Sequence, residues 1–274
     1  MDKLNFLTAG IPASAKKSSY EEGLKVLDEL GLDGLEVEFV RGVRISDVSR
    51  EVLIKNSKDY VFTAHAPFFI NLNAKEQDKV DASIRRILET AEVTNDFGGY
   101  SIVFHAAYYL GDDKEKTYNT VKEKLALICS QLEEKNNKIW IRPETTGKAT
   151  QWGDLDEIIK ISNEFAQVLP CVDFAHLHAR SNGEFNAYDD FCMILERIGT
   201  EIGSYALNNF HAHVAGIAYG AKGEKHHLNF EEADMNYKDL ARAFKSFDVK
   251  GVVVCESPNI EVDTNILKEY YNSL

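Results

Sequence analysis

The residues best suited to chemistry in this chain are histidines and carboxylates that close short apolar runs. His65 ends YVFTAH, His105 ends SIVFH and His211 ends the run before AHVAG. Glu144 follows KIWIR, Asp173 lies in VDFAH with His176 three residues on, and Glu256 follows GVVVC. His211 lies in the stretch FHAHVAGIAYGAKGEKHHL, Phe210–Leu228, whose Gly-rich connector leads to Glu224 and His226. One such group at a strand end is ordinary as a cap or hydrogen-bonding residue. Several at one face would repel one another or hold protons unless cations compensate them. Imidazole with carboxylate suits Zn²⁺, Mn²⁺ or Fe²⁺ better than Mg²⁺. The nine candidates exceed what a single ion needs and, with one carboxylate bridging, are enough for three. The Gly216, Gly220 and Gly223 spacing is expected to let the connector turn back, so that Glu224 and His226 face the other donors.

The elements that must position these groups alternate along the chain. Short apolar segments at 4–7, 34–39, 60–65, 101–105, 138–142, 168–174, 205–211 and 251–255 read as strands. Helix-like segments fill the intervals at 20–30, 45–56, 77–97, 114–134, 154–165, 187–198, 237–247 and 264–272. Ser18–Ser19, Ser46 and Asp154 are candidate helix caps. Eight such units predict an α/β chain folded as a single (β/α)₈ TIM barrel over 1–274, with no linker or composition shift. In that fold the C-terminal strand ends converge, which makes donors distant in sequence neighbours in space.

The formal net charge of −13 argues against a generic nucleic-acid binder, because non-specific affinity comes from Lys and Arg neutralising phosphates. Action on a nucleic acid would need a locally positive site, made by bound cations or by Arg41, Arg44, Lys148, Arg180, Lys222 and Lys225. No apolar run approaches the ~18 residues of a membrane span, and the N-terminus is too short and polar for a signal peptide. A cytoplasmic monomer is expected. Cys129, Cys171, Cys192 and Cys255 are widely spaced and read as buried reduced thiols, not disulfides or metal thiolates.

The segments HAPFFINL, VFHAAYYLG, PETTGK, VDFAHLHA, HAHVAGIAYGAKGEKHH and VCESP together resemble the endonuclease IV family. These are zinc-dependent apurinic/apyrimidinic endonucleases on a xylose-isomerase-like barrel, and the resemblance spans nearly the whole chain. It implies hydrolysis of the DNA phosphodiester 5′ to an abasic site, with three Zn²⁺ per chain and Mn²⁺ also compatible. By the same resemblance His65 and His105 hold the first ion and Glu144 bridges it to the second. Asp173, His211 and Glu256 complete the second, and His176, Glu224 and His226 hold the third. Glu144 and Glu256 carry the catalytic role. Glu224 departs from the family, which has Asp there. Phe68–Phe69 stand where the family carries its DNA-inserting Tyr–Leu pair, and Arg41 is a candidate phosphate contact. His178, His213 and His227 lie outside the ligand pattern and are expected to play supporting roles. The alternative is a sugar isomerase or epimerase on the same barrel, which needs only Glu144, Asp173, His211 and Glu256. A non-catalytic binding protein is the third reading, and retention of every ligand weighs against it.

Overall fold

Parallel strands bury both faces, so their sequences run apolar, and this chain follows that rule. The computed structural model describes residues 1–274. Its main strands are β1 Leu4–Ala9, β2 Gly34–Glu38, β3 Val61–His65, β4 Ser101–Phe104, β5 Trp140–Pro143, β6 Val172–Asp173, β7 Phe210–Val214 and β8 Gly251–Cys255. Helices intervene throughout, so the expected βα alternation is present. Three expected caps are made: Ser19 accepts from the Glu22 N–H, Ser46 from the Ser49 N–H, and Asp154 forms a capping box with Glu157. No helix is long and apolar enough to cross a membrane.

Two strands differ from the expectation. The sixth is only Val172–Asp173, because Pro170 has no N–H to donate to a ladder and Phe174 already opens a helix. The seventh begins at Phe210, not at residue 205; Ser204–Asn208 forms a short helix instead. Parallel pairing sets that start, since Phe210 lies opposite Gly251 and Val214 opposite Cys255.

By contacts the chain divides into two compact units: Met1–Leu35 with Cys171–Leu274, and Glu36–Pro170. In the first unit the strand order is β1-β8-β7-β6. Phe210 packs towards the helix Tyr237–Ser246, 6.1 Å from Phe244 between ring centroids. Phe174 joins both and also meets Phe191 edge-on at 5.8 Å. Because side chains alternate along a strand, Phe210, Ala212 and Val214 take the helix side and His211 and His213 take the other. Gly251 has φ +132°, and a Cβ there would lie 2.1 Å from the Phe210 carbonyl oxygen, so the close β7–β8 approach requires glycine.

The Gly-rich connector after β7 is an antiparallel hairpin, Gly216–Gly220 against Gly223–Leu228. Of its glycines only Gly223 has positive φ, +87°. Gly216 serves closeness instead: a Cβ would meet the carbonyl oxygens of Asn229 and Leu228 at 2.5 and 2.7 Å. The hairpin is tied to the helix Phe174–Arg180 through Asp234. Tyr219 Oη donates to Asp234 at 2.6 Å, and His178 Nε2 lies 3.1 Å from the other carboxylate oxygen.

In the second unit the order is β2-β3-β4-β5. The ladder continues past the strand ends: the Ala66 N–H donates to Val103 O at 2.8 Å, and the Glu144 N–H to Phe104 O at 3.1 Å. The loop after Glu144 is held by the Thr146 N–H to Gly153 O at 2.9 Å, and Glu157 accepts from the Gly153 N–H at 2.9 Å. Below it, buried Arg142 donates to Pro170 O at 2.9 Å and lies over the Tyr100 ring.

Two consequences are measurable. Asp33 joins β1 to the closing helix Glu261–Ser273, accepting from the Phe6 N–H at 3.0 Å, from Lys268 at 2.8 Å and from Lys3. Burial alone would raise its pKa, but Lys268, Lys3 and the Phe6 N–H outweigh it and hold the carboxyl below its ordinary value. Its contribution is therefore complete above the unfolded Asp pKa of about 3.9 and is lost as pH falls through the lower folded value. Asp33→Asn should cost about 1.5–3 kcal/mol in urea unfolding at neutral pH, a gap that narrows in acid. Tyr219→Phe should speed amide exchange across residues 216–228 with a local loss of about 1 kcal/mol, leaving the β8 amides unchanged.

Candidate metal centre

Strand register brings the first donors together in the second unit. His65 ends β3, His105 follows β4 and Glu144 follows β5. Glu144 Oε2 lies 3.1 Å from His65 Nε2 and 2.9 Å from His105 Nε2. Ligand atoms of the three fall within 4.8 Å of one another. His65 Nδ1 lies 2.8 Å from Ala66 O, so it carries a proton donated to that carbonyl, and Nε2 faces Glu144. Glu144 is fully buried in its side chain, and Glu36, also buried, accepts from Thr63 Oγ1 at 2.7 Å. Burial alone would lower the His65 pKa. The Glu144 hydrogen bond and charge, with Glu38 and Glu36 adding, instead raise it to about 10. The same negative field that favours a proton on this ring favours a cation among these donors.

The first unit holds a second group of donors. Asp173 ends β6 and caps the following helix, accepting from the His176 N–H at 2.7 Å. Its other oxygen lies 3.1 Å from His176 Nδ1. Glu224 Oε2 is 3.7 Å from His176 Nε2. His227 completes a set with Asp173 and His176, all with ligand atoms within 4.8 Å. Asp173, His213 and Glu256 form another set at the same spacing, with His213 Nδ1 3.3 Å from Glu256 Oε1. Both sets offer imidazole nitrogen and carboxylate oxygen, which fit a zinc- or manganese-class cation.

Two histidines stand where the sequence pattern placed others. His226, expected as a ligand, is exposed, and His227 faces Asp173 and His176. A bulge explains this. Tyr219 pairs with Glu224 and Ala218 with His226, leaving Lys225 as an extra residue that shifts the alternation. Glu224 and His227 therefore share a face. Likewise His211 lies one step below the strand end, and His213 sits beside Glu256. β7 runs on to Val214 instead of ending at His211, and that causes the difference. A strand from 210 to 214 puts its last inward position at residue 213, a signal present in the alternation of FHAHV. The bulge leaves no comparable mark in the sequence. His178 is buried against Asp234 in a supporting position, as expected for it.

Of the candidate nucleic-acid contacts, Arg41, Arg44, Phe68, Phe69, Lys222 and Lys225 are exposed, and Lys148 and Arg180 are half-buried. Phe68 and Phe69 are 56% and 54% accessible, with ring centroids 4.1 Å apart, and Arg41 is on the surface. Arg86 donates to the Phe69 carbonyl at 3.2 Å, bracing that turn.

Residues 24–271 match the family of xylose isomerase-like TIM barrels. An uncharacterized protein of Methanocaldococcus jannaschii is 45% identical over 271 residues, covering 99% of this chain and 98% of that one. A probable endonuclease 4 of Mycoplasma pneumoniae is 26% identical over 201 residues, covering 71% of this chain and 67% of its own length. Among solved structures, endonuclease IV from Thermus thermophilus superposes with a TM-score of 0.74 at 16% identity, covering 98% of this chain and 100% of that one. A D-tagatose 3-epimerase-like protein gives the same TM-score of 0.74 at 18% identity, covering 97% of this chain and 98% of that one. Likeness at that identity speaks for the fold alone and does not separate the two activities. The extent of the family match, with the βα alternation and the strand-end donors, supports one conclusion: the chain belongs to the xylose isomerase-like TIM-barrel family.

Proposed function

We propose that this protein is a metal-dependent phosphodiesterase that cuts DNA 5′ to abasic sites. The observation that carries this reading is the surplus of imidazole donors. An isomerase or epimerase of this family needs one cation on a Glu–Asp–His–Glu set. Here His65 and His105 gather on Glu144 in one unit, and His176 and His227 gather on Asp173 in the other. The first group would hold one cation and the second another, with Asp173, His213 and Glu256 offering a further set. Cations so bound supply water activation near neutral pH and positive charge for a phosphate. That charge also offsets the −13 of the chain where a phosphate must approach.

The chain's own residues then divide the work. Glu144 and Asp173 orient the imidazoles through the contacts described above. Phe68 and Phe69 present two aromatic faces on which exposed bases stack, a contact worth about 1–3 kcal/mol per base. Arg41 supplies a charge for a flanking phosphate. The sugar-epimerase reading keeps one specific support, the acidic surface together with an epimerase-like fold neighbour.

Elemental analysis combined with an incision assay tests the choice. Two or three zinc-class ions per chain, with cleavage of a duplex bearing a tetrahydrofuran abasic analogue, is the expected result. One ion per chain, no cleavage and turnover of a ketose at C3 would replace it with the epimerase. A paired substitution tests the donor assignment. His227→Ala should remove one ion and lower incision by about 10²-fold or more, whereas His226→Ala should leave the ion count unchanged.

A further inference from the structure

Below the carboxylate-bearing strand ends of the first unit lies a cluster whose thiol, Cys171, neither enzyme reading uses. Cys171 immediately precedes β6, and His211 and His213 alternate on β7. The register Val172↔Ala212 and Asp173↔His213 sets Cys171 level with His211, one step beneath Asp173 and His213. All three side chains are fully buried, and their ligand atoms lie within 4.8 Å of one another. The two imidazoles meet edge-on with ring centroids 5.2 Å apart. Phe210, Ala212 and Val214 take the opposite face of the strand, so this face is free for the polar groups.

The donor chemistry differs from that of the strand ends. There the donors are oxygen and nitrogen only. Here a thiol stands with two imidazoles, a set that thiophilic cations such as Zn²⁺ or Cu⁺ select. An imidazole has two ring nitrogens. His213 Nδ1 lies 3.3 Å from Glu256 Oε1. Cys255 is an internal contrast: it is equally buried and belongs to no imidazole cluster.

We propose that Cys171, His211 and His213 form a buried thiolate–imidazole site for a zinc-class cation, which shares His213 with the oxygen and nitrogen donors above it and is distinguished from them by its sulfur. Binding replaces the thiol proton: the S–H bond breaks, a sulfur–metal bond forms and the proton leaves to solvent. Asp173 and Glu256, one step above, offset the remaining positive charge. The cation would cross-link β6 to β7, the adjacent strands that carry Asp173 and His213. The site stands whether or not the protein cuts DNA.

Cobalt substitution of the full-length protein tests this. After chelator treatment, Co²⁺ is titrated in and the spectrum recorded. Only a sulfur ligand gives an intense near-ultraviolet charge-transfer band, while the oxygen and nitrogen sites give weak visible bands alone. The wild type should show the ultraviolet band. Cys171→Ser should lose it and bind about one cobalt fewer per chain, and Cys255→Ser should keep it. His211→Asn should weaken Co²⁺ binding at the sulfur site by about 10-fold or more. Absence of the band in the wild type overturns the site, whatever the visible bands show. Persistence of the band in Cys171→Ser overturns it too. Because the wild-type spectrum needs no variant, misfolding of a variant cannot produce the negative result. Visible bands without the ultraviolet band would leave the strand-end centres standing and remove only this one.

Discussion

A buried carboxylate surrounded by imidazoles is the constraint on which the rest of this structure depends. Glu144 has no exposed side-chain surface and holds two histidine nitrogens within about hydrogen-bonding distance, while Asp173 is buried with His176 against it. Charge removed from water must be paired or neutralised. A proton on His65 achieves this in part, and a divalent cation would do it more fully. Desolvation of the carboxylates thus favours a cation among the donors.

That arrangement in turn needs rigid supports, and each unit provides them differently. In Glu36–Pro170 the donors inherit their positions from a ladder whose hydrogen bonds run on beyond the strands to Ala66 and Glu144. In the other unit the four phenylalanines Phe174, Phe191, Phe210 and Phe244 lock β7 and the helix bearing His176 onto one packed cluster. The hairpin is the least embedded support, since several of its residues are exposed and it relies on Tyr219, Asp234 and His178. Removing the tie would loosen Glu224 and His227 before any strand-borne donor.

The cluster of Cys171, His211 and His213 belongs to the same logic at a deeper level. Polar groups on a strand face that would ordinarily be apolar carry a burial penalty, and mutual coordination is one way to meet it. The strand ends and the level beneath them then differ in kind. One level has oxygen and nitrogen donors at the strand ends. The other has a soft donor closed off from solvent.

Much of the architecture was legible in the sequence because burial on both faces writes itself as short apolar runs, and caps such as Ser19, Ser46 and Asp154 act through local geometry. The strand-end positions of His65, His105, Glu144, Asp173 and Glu256 were legible for a related reason: a polar residue that interrupts an apolar run marks the end of a strand. The limits of β6 and β7 were not, since Pro170 and the pairing of Phe210 with Gly251 settled them across the fold. The choice of His213 over His211, and of His227 over His226, followed from that pairing and from a bulge at Lys225. So the sequence alone determined the alternation of elements and the kinds of donor that meet. Tertiary structure decided which of two neighbouring histidines faces the donors, because a shift of one residue in strand register reverses a side chain's direction while leaving composition untouched.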